Sequence, residues 1–290
     1  MKAKDYVIYG DTDSIYVSVN DFCEDHFGKE WWTNKTDDQK IDIINELSDY
    51  IRDYINDRTF DEIQKGGYNS TVDDFKIVFE KEKIAISGIF IKKKKYAVRS
   101  LWTEGEKKEK ISVTGLETVR SDSSEAIRTR LKDIMDMILR DIPDDQISDR
   151  IDKYRKELMK VYPEELAANI GINKLKKYIV DGKATKGTPW QVKGAANYNM
   201  LLKELNLGGK YEEITEGIKG KVVYVKPNAF GIESVSFIRW PQEFDAILQV
   251  DKKTMVDKFF INKIESLLKP MGKEDILNKA SNKVVGLFFK

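Results

Sequence analysis

The chain has 290 residues and a nearly balanced charge, with 50 basic and 49 acidic side chains, so net charge alone does not mark a nucleic-acid-binding protein. Any basic binding surface must be local. The single cysteine, Cys23, excludes a disulfide framework and a cysteine-type zinc site, and it predicts an intracellular, reducing setting. No apolar run approaches the roughly 18 residues of a membrane span, so we expect no membrane association. The length is sufficient for two domains.

The sequence YVIYGDTDSIYVSV, residues 6–19, predicts a β-hairpin with two carboxylates at its tip. Residues two apart on an extended chain point to the same side, so Asp11 and Asp13 can converge on one small volume. Two crowded carboxylates are hard to keep ionised without a cation, and Mg²⁺ is the ion that suits such oxygen ligands best. A carboxylate and metal site of this kind suits phosphoryl transfer through two metal ions.

The same sequence at the tip allows two other interpretations. An ordinary turn, in which Asp and Ser side chains bond local backbone amides, stays open. An EF-hand calcium loop is excluded. Counting Asp11 as its first position places Tyr16 where the loop needs glycine and Phe22 where it needs a bidentate glutamate.

The string YGDTDS, residues 9–14, resembles motif C of the family B DNA polymerases, the palm-domain hairpin that carries a catalytic aspartate. The resemblance implies that Asp13 binds two Mg²⁺ ions together with an aspartate from another part of the polymerase. It also implies that Asp11 is a weaker or alternate ligand.

A run of four lysines stands in the stretch FEKEKIAISGIFIKKKKYAV, residues 79–98. By itself such a run is typical of a solvated face or a localisation-like basic patch. Apolar residues on both sides of it instead predict a strand with one buried side. Strand alternation would place Lys94 on the side of Tyr96, and Lys93 and Lys95 on the other side.

The same stretch is similar to the K-K-x-Y strand of the family B polymerases. The similarity implies that Lys93, Lys94 and Tyr96 contact the primer-template near the growing end. It also implies that Glu82, or alternatively Glu80, is an accessory carboxylate near the metals. By contrast, we expect no DNA contact from Lys107 and Lys108, which stand in the turn-like GEKKEK sequence.

The sequence VTGLETVRSDSSEAI, residues 113–127, is similar to the segment that ends the polymerase palm and opens the thumb, at Gly115, Glu117, Thr118 and Arg120. Independently, Asp122 and Glu125 predict a capping-box-like helix start. Apolar residues at helical spacing predict two helices behind it. They are Ile127, Leu131, Ile134 and Ile138, then Ile147, Ile151, Tyr154, Leu158 and Val161.

Residues 188–207, TPWQVKGAANYNMLLKELNL, resemble the thumb helix of T-even-type phage replicative polymerases, with Gly194 and Tyr198 as matched positions. The resemblance implies that Lys193 and Tyr198 approach the DNA backbone. A purely helix-capping role for this segment stays open.

These observations predict an α+β fold. A partial polymerase palm, an antiparallel sheet with helices, would span residues 1–119, and a mainly helical thumb would span residues 120–290. The expected strands are 5–10, 14–19, 75–80, 84–91 and 94–102, with helices at 38–57 and 252–268, a hairpin at 221–225 and 234–239, and a flexible loop at 182–189.

In the family, an exonuclease, a DxxSLYPS-like motif A and a KxxxNSxYG-like fingers motif precede motif C, and none stands in these 290 residues. With Met1 as an initiator, this predicts the C-terminal subunit of a split phage DNA polymerase. The subunit would act as a heterodimer with a partner chain that carries the missing parts and shares two Mg²⁺ ions. Primer-template DNA and dNTP would be its substrates, in the cytoplasm of an infected bacterial host.

The C-terminal sequence SNKVVGLFFK resembles the short peptide with which polymerases of this group dock into a sliding clamp. Leu287, Phe288 and Phe289 would be its anchors. Packing of these residues on the chain's own thumb is the alternative.

Two other functions stay open at this stage. One is a catalytically inactive DNA-binding or clamp-tethering subunit of a replisome. The intact Asp11 and Asp13 pair counts against it. The other is a different palm-type nucleotidyltransferase, such as a reverse transcriptase, and the K-K-x-Y strand and the thumb resemblance count against that.

Overall fold

The computed structural model describes residues 6–66, 77–116, 122–180 and 183–278, with the backbone alone at Lys183. These residues fall into two compact units, which meet in sequence between Thr114 and Gly115. Both units combine helices with antiparallel strands, as the predicted α+β class requires. No helix within the described ranges is long and apolar enough to cross a membrane.

The first unit is a short hairpin, two helices and a three-stranded antiparallel sheet of order β3-β4-β5. Its elements are β1 (Val7–Asp11), β2 (Ser14–Val17), α1 (Asn20–Phe27), α2 (Asp37–Lys65), β3 (Lys83–Lys92), β4 (Lys95–Thr103) and β5 (Glu106–Thr114). A full capping box between Thr36 and Gln39 fixes the start of α2. The helix packs on the sheet through a buried cluster of Ile41, Ile84 and Leu101.

The sequence predicted most of this unit, with two corrections. The helix expected over 38–57 is confirmed and continues to Lys65. The strand expected at 75–80 is not formed over 77–80, and residues 75–76 lie outside the described part of the chain. The GEKKEK stretch is not a turn, because β5 begins at Glu106 and pairs Lys107 with Trp102 of β4. A strand at the edge of a sheet tolerates a polar sequence that reads as a loop.

The second unit joins helices to a small antiparallel sheet of order β10-β9-β6. Its elements are α3 (Glu125–Leu139), α4 (Asp144–Leu158), α5 (Pro163–Leu166), β6 (Ala168–Gly171), α6 (Leu175–Tyr178), β7 (Ile179–Val180), β8 (Lys183–Ala184), α7 (Trp190–Glu204), β9 (Lys219–Tyr224), β10 (Ser234–Phe237), α8 (Lys252–Val256) and α9 (Asn262–Leu268). A π-helical turn, Asp257–Ile261, makes α8 and α9 one continuous helical run.

The apolar stripes predicted for the second unit form its core. Its fully buried members include Ile127, Leu131, Ile134, Ile147, Ile151 and Leu158. The expected helices at 188–207 and 252–268 and the hairpin at 221–225 and 234–239 are also confirmed.

Three details of the second unit differ from the sequence predictions. The N-cap of α3 is Ser124, whose hydroxyl accepts the Ile127 N–H, and not Asp122. Asp122 instead binds the Lys263 ammonium at 3.1 Å. The loop expected at 182–189 contains β8, which pairs with β7.

Candidate active site

The tip of the β1–β2 hairpin is a two-residue loop. Asp11 pairs with Ser14, which leaves Thr12 and Asp13 between the strands. Thr12 adopts a left-handed backbone with φ of +57°. That conformation is costly for a β-branched residue, and such backbone strain is often found at functional sites. The Thr12 hydroxyl also donates to the Asp11 carboxylate, and the Ser14 hydroxyl donates to the Asp11 backbone carbonyl, so local hydrogen bonds to oxygen acceptors stabilise the turn.

Asp11 is held by the lysine run. Its carboxylate lies 3.3 Å from the Lys93 ammonium and 3.8 Å from that of Lys94, and its side chain is only 15% exposed. The two lysine side chains are about 70% exposed, so one sheltered carboxylate faces two solvated ammonium groups and the three side chains together keep a net positive charge. The hairpin tip and the lysine run are therefore adjacent in space.

The lysine run is itself a hairpin turn, which corrects the strand alternation predicted for it. Lys92 pairs with Lys95, and Lys93 and Lys94 form the loop between β3 and β4. Lys94 has a φ of +58°, as a tight two-residue loop requires at one position. Both loop lysines consequently face Asp11 instead of pointing to opposite sides of a strand.

Four aromatic rings pack the two hairpins against each other. Tyr9 and Tyr16 on the first hairpin contact Phe90 and Tyr96 on the second, with ring centroids 5.1–5.8 Å apart. The Tyr9 hydroxyl also accepts the backbone N–H of Lys94 at 2.8 Å. Tyr96 thus lies beside the candidate site, where its ring contributes to the aromatic packing.

Glu82 is linked to the first hairpin through Lys83. Its carboxylate lies 2.6 Å from the Lys83 ammonium, which also donates to the Tyr16 hydroxyl. Burial opposes the charge on Lys83, but Glu82 and Tyr16 together keep the pKa of this ammonium above its usual value. For the Tyr16 hydroxyl, burial opposes the ionised form and therefore raises the pKa. Glu82 is engaged in this network as an ion-pair partner.

Asp13 is the exposed carboxylate of the tip. Among the described residues, none donates a hydrogen bond to it or forms an ion pair with it. Nor do any three of the described Asp, Glu, His and Cys side chains cluster closely enough to hold a metal ion. Asp13 is therefore an exposed carboxylate whose oxygens are not engaged by the described residues.

In the second unit, the two residues expected to approach DNA have opposite environments. Lys193 is exposed on α7. Tyr198 is a core residue with 1% exposure, its ring packs against Phe244, and burial raises the pKa of its hydroxyl to about 12. A direct DNA contact does not fit this position, so Tyr198 is removed from the candidate interface.

Sequence reasoning missed a second group of basic residues near α7. Around α6 and the paired strands β7 and β8, four lysines are exposed and form what we call the lysine lobe: Lys174, Lys176, Lys177 and Lys186. The Glu216 carboxylate anchors this lobe by accepting the backbone N–H groups of Lys174 and Leu175, which lower its pKa. A density of five lysines against one aspartate over 174–186 is the signal that was available in the sequence.

Several predicted positions lie outside the described residues. They are Glu117, Thr118 and Arg120 of the palm-to-thumb segment, and Leu287, Phe288 and Phe289 of the C-terminal sequence.

Comparison with known proteins identifies the family to which the sequence is similar. The family model of DNA polymerase family B matches residues 64–257, two thirds of the chain. The chain belongs to the family B DNA polymerases. The matched range includes the lysine turn and α7, whereas the hairpin with Asp11 and Asp13 precedes it.

Two family B relatives from T-even-type phages extend the similarity to nearly the whole chain. The DNA-directed DNA polymerase of Escherichia phage RB69 is 25% identical over 95% of this chain and 31% of its own length. That of Enterobacteria phage T4 is 22% identical over 96% of this chain and 31% of its own length. The chain therefore spans about a third of the length of the curated family B polymerases that it matches. It corresponds to a fragment of a T-even-type family B polymerase.

Proposed function

We propose that this chain supplies the metal-binding hairpin and the primer-template-binding thumb of a DNA-directed DNA polymerase. One observation carries the proposal. The first hairpin resembles a metal-binding sequence, and the lysine turn resembles a primer-contact sequence. Tyr9 and Lys94 are 85 residues apart, yet a hydrogen bond joins them, and Lys93 and Lys94 form ion pairs with Asp11. A chance resemblance in either sequence gives no reason for them to meet.

In this proposal, Asp13 would provide one carboxylate ligand to two Mg²⁺ ions, and the bound ions would supply charge stabilisation for nucleotidyl transfer, in which the primer 3′-hydroxyl displaces pyrophosphate from the nucleotide α-phosphate. Asp11 orients the lysine turn and is at most an alternate ligand, since two ammonium groups already occupy its oxygens. Lys93 and Lys94 bind phosphates of the primer-template, and Lys193 and the lysine lobe around α6 bind the duplex backbone without reading its sequence.

The polymerase site needs a complementing segment. A two-metal site takes more ligands than the single unengaged carboxylate of this hairpin, and no nucleotide-gripping motif stands in the sequence. We propose that a second polypeptide carrying motif A and the fingers provides both, so that the active form is a heterodimer. Docking of Leu287, Phe288 and Phe289 into a sliding clamp stays a proposal from the sequence.

Complementation tests this function. The purified chain should extend no primer in Mg²⁺, and it should gain template-directed extension when mixed with the motif A and fingers fragment encoded by the same genome. Extension by the isolated chain would contradict the need for a partner. A mixture that forms a complex and binds DNA but extends nothing would favour the inactive, DNA-tethering alternative.

The lysine turn offers a second test, on DNA binding. Lys93→Ala and Lys94→Ala should each weaken primer-template affinity and lower the slope of log affinity against log salt by up to about one unit. Each variant makes one phosphate contact fewer, so its binding to DNA releases fewer counterions.

Lys108→Ala is the matched control for the lysine turn, since Lys108 is an exposed lysine of β5. Lys107 is a poorer control, because its ammonium is paired with Asp38 at 3.0 Å. Equal losses at Lys93, Lys94 and Lys108 would show that the turn is an ordinary solvated basic patch.

A further inference from the structure

The second unit contains an open groove of about 1240 Å³. One wall is the connection between α4 and α5, where Tyr162 is 76% exposed and Met159 is 41% exposed. The opposite wall comes from the segment after β10 and the segment leading into α8, including Leu248. Two large, uncovered apolar side chains therefore border a concave surface.

Five basic side chains line the groove. Lys210 is paired with Glu243 at 2.6 Å, and the other four are available to a ligand: Lys226, Arg239, Lys252 and Lys253. Within the described part of the chain, none of the four forms an ion pair with a carboxylate. Lys226 and Lys253 lie close enough to Asp251 to help Thr254 lower the pKa of that carboxyl, but they do not contact it.

The acidic side chains of the groove are mostly engaged within the protein. Glu164 accepts the backbone N–H of Trp240 at 2.7 Å, and Asp245 accepts the indole N–H of the same residue at 2.8 Å. Asp251 caps α8 through the N–H and hydroxyl of Thr254. Glu165 also lines the groove and is exposed, so the charged side chains that the described residues leave without a partner there are four basic groups and one carboxylate.

We infer that this groove binds an acidic segment of a partner protein, with an aromatic or aliphatic side chain anchored against Tyr162 and Met159. The basic side chains would pair with the partner's carboxylates, and the exposed apolar pair supplies an anchoring pocket of the kind that dominates interface energies. The inference is independent of the polymerase reaction.

A labelled peptide tests the inference directly. The probe is a fluorescein-labelled peptide of aspartate and glutamate around one central phenylalanine, titrated with the full chain and followed by fluorescence anisotropy. We expect saturable binding, weakened about tenfold or more by Tyr162→Ala or by Arg239→Glu. Peptides with the carboxylates changed to amides, or with phenylalanine changed to serine, should bind at least several-fold more weakly.

Matched substitutions outside the groove serve as controls. Tyr50→Ala removes a tyrosine that is 70% exposed on α2, and Lys132→Glu reverses an exposed charge on α3. Neither should alter peptide affinity, and thermal melting of each variant verifies folding. Absence of peptide binding would overturn the inference. So would an oligothymidylate that binds in place of the peptide and is lost on Arg239→Glu, because this outcome identifies a nucleic-acid groove.

Discussion

Asp13→Ala in the complemented enzyme is expected to lower the rate of nucleotide incorporation by about a thousand-fold or more. A metal ligand acts on charge that develops in the transition state, and its loss removes several kcal/mol of stabilisation. Primer-template affinity should stay nearly unchanged, because Asp13 stands apart from the lysine turn in its contacts. Single-turnover extension and equilibrium DNA binding, measured on the same preparation, separate the two effects.

Two further aspartates calibrate the Asp13 experiment. Asp11→Ala should reduce incorporation less, and it should alter DNA affinity, because it releases the Lys93 and Lys94 ammonium groups. Asp25→Ala, at an exposed position of α1, should change neither quantity. Near-normal turnover of the Asp13 variant would mean that the hairpin tip has a structural role only.

Gly194→Ala should destabilise the second unit by about 1–3 kcal/mol, the usual range for overpacking a well-filled core. In a helix interior, alanine is normally favoured over glycine by about 1 kcal/mol. Here a Cβ at Gly194 would lie 2.6 Å from the Ser236 hydroxyl oxygen and 2.7 Å from the Ser236 backbone nitrogen. The strand backbone cannot move away without breaking its pairing with β9, so the steric cost exceeds the gain in helix propensity.

Gly209→Ala is the control for the glycine experiment, because a Cβ at Gly209 would meet nothing within 4 Å. Urea unfolding followed by circular dichroism gives the free energy of each variant. A Gly194 variant as stable as the unsubstituted chain would show that β10 can give way. The expected result assigns Gly194 to the close packing of α7 against β10.

The sequence predicted the elements whose periodicity is strong and whose ends are marked by local chemistry. The stripe of Ile127, Leu131 and Ile134 is one example, and the alternating residues around Gly10 are another. It failed where tertiary contacts override local pattern. The lysine run was assigned to a strand, because nothing in four identical residues shows which two form a turn. The polar β5 strand was missed because its charged residues are typical of a loop, although they pair with β4 at the edge of the sheet.

The candidate site was predicted in composition but not in geometry. Sequence resemblance named Asp11, Asp13 and the lysines, yet it could not show that Lys93 and Lys94 neutralise Asp11. It also placed Glu82 among the metal ligands, whereas the carboxylate is engaged by Lys83. Tyr198 was assigned to an interface because a tyrosine suits both a core and a DNA backbone, and only its neighbours decide between them.

The aromatic fastening of the two hairpins has a consequence for the order of folding. A two-stranded hairpin is marginally stable in water, and the β1–β2 pair contacts its support through Phe90 and Tyr96. These rings become available only after some 80 further residues have been added to the growing chain, and closing so long a loop is slow. We therefore expect the tip that bears Asp13 to become ordered after the β3–β4 sheet on which it rests.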